Sequence, residues 1–277
     1  VALQALHASR RDWHAAYDAR FMKWPTSFTP PRGLRRAFEL VFAQHLGQQL
    51  SAWMGASCVL CGTPGGETCD ECNASVEARE AGRLRCRTCA DSFENTGTRT
   101  ACNRCLQDPP AFSRTICAGD YAPPLDAVER GLKFHARTHA ARALATWLAN
   151  ATRRAGQEQL PDLLIPVPLA SERLAQRGFN QAALIARCLA DELDINVRMN
   201  ALRRVRETPA LSLMHAEERT HAIRGAFACV EDLSGRAIGL VDDVMTTGAT
   251  LRAAAKALRS AGARDVIVLV ALRTPAP

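Results

Sequence analysis

Apolar residues recur along this chain in three different ways, and the changes between them divide it. After the break TSFTPPRG, the stretch 33–54 (GLRRAFELVFAQHLGQQLSAWM) places Phe38, Val41, Phe42, Leu46, Leu50 and Trp53 on one broad face, which predicts a helix within an N-terminal segment 1–57. Residues 58–110 lose that period and carry cysteines, glycines and charges instead, closing on QDPPAF. From 114 to 277 continuous apolar runs alternate with amphipathic ones. TICAGDY reads as a strand, 124–154 as one or two helices, DLLIPVP as a strand, and 171–193 as a loop plus helix. AFACV and AIGLVDD read as strands around the turn EDLSGR, TLRAAAKALRSAG as a helix closed by glycine, and DVIVLVALR as the last strand. Strands apolar on both sides, separated by helices, predict an α/β fold with a parallel sheet covered on both faces.

Composition narrows this picture only a little. The chain has 277 residues, 47% of them hydrophobic, enough for one large core or two smaller ones. The net charge of +7 suits phosphate-rich ligands, but no polybasic block stands out, and the 32 arginines against 3 lysines read first as compositional bias. No apolar run approaches the ~20 residues of a membrane span. The opening VALQALHASRRDWHAAYDARF breaks any signal-like stretch with charges, so a reducing, cytoplasmic setting is expected.

Cysteine placement says more than cysteine number. Eight of the 11 form four C-x-x-C pairs: Cys58/Cys61, Cys69/Cys72, Cys86/Cys89 and Cys102/Cys105. Each pair presents two thiolates on one side of a tight loop, half of a tetrahedral zinc site. Four pairs make two four-cysteine sites, a double zinc ribbon. Spacing permits first with second and third with fourth, and equally a crossed arrangement. A disulfide framework and a thioredoxin-like redox site are the competing accounts; a reducing setting and the fourfold repeat favour structural zinc. Cys117, Cys188 and Cys229 stand in apolar settings and read as ordinary buried thiols. Residues 58–117 carry 7 basic against 8 acidic groups, so the ribbon carries no electrostatic signal for DNA.

The stretch IGLVDDVMTTGATL joins an apolar strand to a helix through Asp242, Asp243, Thr246, Thr247, Gly248, Ala249 and Thr250. Ligands of parallel sheets bind outside the carboxyl ends of the strands. Carboxylates there accept hydrogen bonds from the vicinal hydroxyls of a ribose. The glycine and threonine turn opens a helix whose free N–H groups cradle a phosphate. Ribose grip followed by phosphate cradle describes recognition of a ribose 5-phosphate.

LVDDVMTTGAT resembles the phosphoribosyl pyrophosphate signature of type I phosphoribosyltransferases. IPVPLASERLAQRGFNQAALIA, with the cysteine pairs ahead of it, resembles the ComF family of bacterial proteins associated with DNA uptake. The resemblance implies a type I phosphoribosyltransferase-like domain behind a double zinc ribbon. It implies Asp242, Asp243 and Arg177 as catalytic residues, 246–250 as the 5′-phosphate loop, and Arg173, Arg177 and Gly178 as the pyrophosphate loop, with Lys133 adding charge. It also implies Mg2+ held mainly by the ligand's own oxygens. Phosphoribosyl pyrophosphate or a nucleotide is the implied ligand, and single-stranded DNA or DNA-uptake and recombination proteins are implied partners. Residues 203–227 resemble the family's mobile flap and offer Arg203, Arg206 and Arg219; Leu211 and Ala222 stand where the family pattern has glutamine and asparagine. Two readings follow: a pentosyl-transferring enzyme, or a non-catalytic nucleotide sensor or DNA-handling protein using the same pocket.

Overall fold

The computed structural model of the protein describes residues 56–92, 100–156, 160–206 and 223–275. The helix expected at 33–54 and the flap residues Leu211, Arg219 and Ala222 lie outside the described residues. The elements run α1 (Asp70–Glu80), α2 (Asn103–Gln107), β1 (Arg114–Asp120), α3 (Leu125–His135), α4 (His139–Arg154) and β2 (Leu163–Pro166). There follow α5 (Ser171–Arg177), α6 (Gln181–Leu193), β3 (Leu202–Arg204), β4 (Phe227–Cys229), β5 (Ala237–Met245), α7 (Ala249–Ser260) and β6 (Asp265–Arg273).

Four strands form a parallel sheet in the order β1-β6-β5-β2. Its inner strands are apolar without alternation because both faces are covered, as the sequence pattern requires. On one face lie α3, α4 and α6, with Leu132, Leu144, Trp147, Leu148, Ile185 and Leu189 packed on Leu164, Val241 and Leu269. The other face packs α7, through Leu251, Ala254, Ala255 and Leu258, on Ile165, Leu240 and Val268. β2 therefore feeds helices on one face, while its neighbour β5 feeds α7 on the other. Where adjacent strands send their chains to opposite faces, a crevice opens at the carboxyl edge.

Three local expectations change. Residues 171–193 form two helices, α5 and α6, because Gly178 takes a left-handed φ of 80° and ends the first. AFACV does not join the main sheet; β4 pairs antiparallel with β3 in a separate two-stranded ribbon. β5 continues through both aspartates to Met245, still in register with β6 at Asp242↔Val270 and Met245↔Arg273.

The cysteine-rich region packs along the outer edge of β1. Thr115 donates its amide to the Arg87 carbonyl at 3.0 Å and its hydroxyl to the Thr88 carbonyl at 2.7 Å, which covers an edge that would otherwise be open to pairing. Arg85 binds Glu80 and Asp120 across the same seam. Val76 of α1 enters the α4 core, and the Trp147 indole donates to Asn73 at 2.8 Å. Cys86, Cys89 and Cys105 join the α7 core on the opposite face. Among the described residues no helix is long and apolar enough to cross a membrane.

Candidate functional site

The crevice at the ends of β2 and β5 encloses a cavity of about 400 Å³ bordered by Asp242, Asp243, the turn 246–250, Arg173 and Arg177. The structure thus gathers residues separated by some seventy positions, which the sequence had grouped only by resemblance. The Asp243 amide donates to Asp242 Oδ1 at 3.0 Å, and the Val244 amide to Asp243 Oδ1 at 2.7 Å, so each carboxylate is steadied by the next residue's backbone. Alternation along the strand sends the two side chains apart. Both still border the cavity, because the crevice wraps round the end of the strand. Asp242 is half-buried and borders this concavity. Burial, and then the adjacent Asp243 charge, push its pKa well above the usual carboxylate range.

The turn is shaped by Gly248, which sits at φ 79° as the N-cap of α7. A Cβ there would meet Met245 Cε at 2.6 Å. No side chain caps the helix firmly: Thr247 Oγ1 accepts from the Ala249 amide only at 3.4 Å, and no acidic residue stands in the first turn. The opening amides and the positive end of the helix dipole thus remain available to an anion in the cavity.

Across the crevice α5 supplies Arg173 and Arg177. Asn180 Nδ2 donates to the Val167 carbonyl at 2.9 Å and pins the turn after α5 to the end of β2. The Arg177 guanidinium lies 5.9 Å from the centre of the Phe134 ring, and Lys133 Nζ lies 5.6 Å from it. Phe134 is 64% exposed beside the mouth of the cavity. Of the flap-side arginines, Arg204 borders the cavity; Arg203 and Arg206 do not.

Two polar groups escaped the sequence reading. Gln181 is 1% exposed, borders the cavity, and has no partner for Nε2 among the described residues. Its place inside the quoted RGFNQ was the available signal. Glu129 is 0% exposed, 3.5 Å from Lys133 Nζ, and raised to about pKa 6 by burial and then by the Asp243 charge. In the sequence it looks like any polar helix position, and no local signal marks it.

The cysteines assemble as first pair with second and third with fourth, not crossed: Cys58, Cys61, Cys69 and Cys72 form one tetrad, and Cys86, Cys89, Cys102 and Cys105 the other. The thiols of each tetrad all lie within 4.8 Å of one another, with Cys61–Cys69 at 3.6 Å and Cys89–Cys102 at 3.7 Å. Four sulfurs ~2.3 Å from a tetrahedral ion stand about 3.8 Å apart, whereas a disulfide needs about 2.05 Å. Both tetrads therefore fit zinc and exclude disulfides. A four-thiolate shell leaves no open position, so such a metal is structural. Crowding already polarises the thiols: the hydrogen bond from Cys89 draws Cys86 down to about 4. Cys117 is buried as expected, but Cys188, midway along α6, and Cys229, at the end of β4, are partly exposed. Among the described residues the cavity's carboxylates form no comparable metal cluster, so a Mg2+ ion there would rely on oxygens of its ligand.

Residues 135–277 match the family model of the phosphoribosyl transferase domain. The chain is similar to DNA utilization protein YhgH of Escherichia coli O157:H7, 35% identical over 207 residues that span 73% of this chain and 90% of that one. It is similar to competence protein F of Haemophilus influenzae, 35% identical over 173 residues, covering 60% and 76% of the two chains. It is also similar to competence protein ComFC of Bacillus subtilis, 35% identical over 107 residues, or 36% and 39%.

Proposed function

The chain belongs to the ComF family of proteins with a phosphoribosyl transferase domain, and from that premise we propose that its crevice binds phosphoribosyl pyrophosphate or another ribose 5-phosphate ligand together with Mg2+, in the service of DNA uptake or utilisation. The observation that carries this reading is the shared cavity: two carboxylates, an uncapped helix N-terminus behind Gly248, and a pair of arginines border one space of about 400 Å³. Each group has a matching part of the ligand. Asp242 and Asp243 accept hydrogen bonds from the ribose hydroxyls. Residues 246–250 receive the 5′-phosphate on backbone amides. Arg173 and Arg177 face a diphosphate with planar donor forks. Mg2+, held together with that diphosphate, would supply charge neutralisation at the leaving group, while Asp242 and Asp243 stabilise positive charge developing at the sugar. The names of the relatives supply the link to DNA.

Exposed Phe134, flanked by Lys133 and Arg177, favours a second reading in which the ligand is a nucleotide or single-stranded DNA held without turnover. An aromatic face beside cations suits a stacked base. Calorimetry with phosphoribosyl pyrophosphate and Mg2+ tests the common premise: binding is expected in the native chain and lost when Asp242→Ala and Asp243→Ala are combined. Unchanged binding in that double variant rejects the site. Pyrophosphate released across a panel of bases and amines supports the enzyme; tight binding with no release favours the second reading.

A further inference from the structure

Arg273 ends β6 at 2% exposure, a depth at which a guanidinium is expensive unless every donor is answered. Its partners come from two places far apart in sequence. Nε donates to the Cys89 carbonyl at 2.9 Å, and Nη2 lies 3.2 Å from Asp91 Oδ2. Nη1 donates to the carbonyls of Met245 at 3.0 Å, Thr246 at 2.6 Å, and Thr274. One side chain therefore holds the knuckle of the second cysteine tetrad on one side and the first residues of the 246–250 turn on the other. The Thr274 amide adds a further bond to the Met245 carbonyl at 3.0 Å.

The knuckle end is itself set by the tetrad. Asp91 is 4% exposed and also receives Arg104, the residue before Cys105, at 3.0 Å. Between Cys89 and Asp91, Ala90 adopts a left-handed φ of 54°. A residue with a side chain holds that conformation only when its surroundings impose it. Here they are the Cys86 carbonyl, which accepts the Ala90 amide at 2.8 Å, and Arg85, which donates to the Ala90 carbonyl at 2.9 Å. A metal drawing Cys86, Cys89, Cys102 and Cys105 together fixes this loop, and with it the Cys89 carbonyl and the Asp91 carboxylate. An apolar side chain at 273 would fill the same volume without tying the loop to the turn.

We propose that Asp91 and Arg273 form a strut through which the second tetrad positions the phosphate-binding turn, so that metal binding and anion binding strengthen one another. Arg273 is a positioning residue: it touches the backbone of the turn, not the ligand. The inference rests on the reading of 246–250 as a phosphate site, and the experiment separates the two. Coupling between sites is reciprocal, so an anion that binds better when zinc is present must also retain that zinc.

The test uses the full chain carrying Cys61→Ser, which keeps zinc only in the second tetrad. Ribose 5-phosphate binding is measured by calorimetry, and zinc withdrawal is followed with a chromophoric chelator, with and without ribose 5-phosphate. The expected result is a zinc affinity raised about tenfold by ribose 5-phosphate, within the range usual for coupled sites. Adding Asp91→Asn is expected to leave one zinc bound, weaken ribose 5-phosphate about tenfold, and abolish the protection. If ribose 5-phosphate binds but leaves zinc withdrawal unchanged, the strut is refuted while the phosphate site stands. If ribose 5-phosphate does not bind, the phosphate site fails and the strut with it. Equal protection with and without Asp91→Asn removes Asp91 from the argument. The measurement without that substitution decides the coupling whether or not the variant folds.

Discussion

Substituting Gly248 by alanine probes the shape of the turn directly, because the structure sets both the sign and the size of the effect. At φ 79° an alanine pays the left-handed penalty of roughly 1–2 kcal/mol. Its Cβ also meets Met245 Cε at 2.6 Å, a contact relieved by moving the end of a flexible side chain. The backbone term therefore dominates, and a loss of about 1–2 kcal/mol is expected. Gly131 is the matched control. It lies inside α3 without a positive φ, and a Cβ there would meet only the Arg137 side chain, at 3.3 Å, which is exposed and free to give the few tenths of an ångström required. At such a position alanine stabilises by about 0.4–1 kcal/mol, through helix propensity and the unfolded chain. The two substitutions are chemically identical and should act in opposite directions. Urea titrations followed by tryptophan fluorescence, on chains of equal zinc content, read the difference as midpoints displaced to either side of wild type. Gly248→Ala should also weaken ribose 5-phosphate, because the left-handed cap aims the amides of α7. A Gly248→Ala chain as stable as Gly131→Ala, with native ligand affinity, would refute the account of the turn.

Metal analysis of the native chain should return two zinc ions, falling to one in either Cys61→Ser or Cys86→Ser; a value that stays at two in both variants overturns the tetrads. The Glu129 carboxyl, raised from 4.5 to about 6 in the folded chain, resists ionisation there. The folded state thus holds more protons than the unfolded one between these values, and stability falls as pH rises through them. Glu129→Gln removes that slope, so the variant's stability relative to wild type should rise by about 1 kcal/mol between pH 5 and 7; a pH-independent difference would show that Glu129 titrates normally. Asn73→Ala leaves the buried Trp147 indole without its acceptor and should cost about 1–3 kcal/mol in a urea titration, while Asn73→Asp, which keeps an acceptor, should lose less.

What the sequence determined by itself is what neighbours along the chain impose. Apolar runs uninterrupted by polar residues announced β5 and β6 as strands covered on both sides, since each residue's exposure follows from the period around it. The C-x-x-C repeat announced thiolate pairs, because two residues between cysteines close a loop of the right width wherever it occurs. The aspartate doublet followed by TTGAT announced a strand end running through a turn into a helix start, because the three are contiguous; that they hold a ribose 5-phosphate is the proposal built on them. The tertiary structure decided whatever depends on the chain returning to itself. It chose consecutive over crossed pairing of the cysteines, which the spacing allowed equally. It moved β4 out of the main sheet and into a ribbon with β3. It brought Arg177 to Asp243 by sending α6 and α7 to opposite faces of neighbouring strands. It buried Glu129 and Gln181, polar positions on helices whose environments come from other elements. It joined Arg273 to Cys89 across 184 residues. No local window contains such a contact, because its geometry is fixed by the packing of the sheet between two layers and not by the residues on either side.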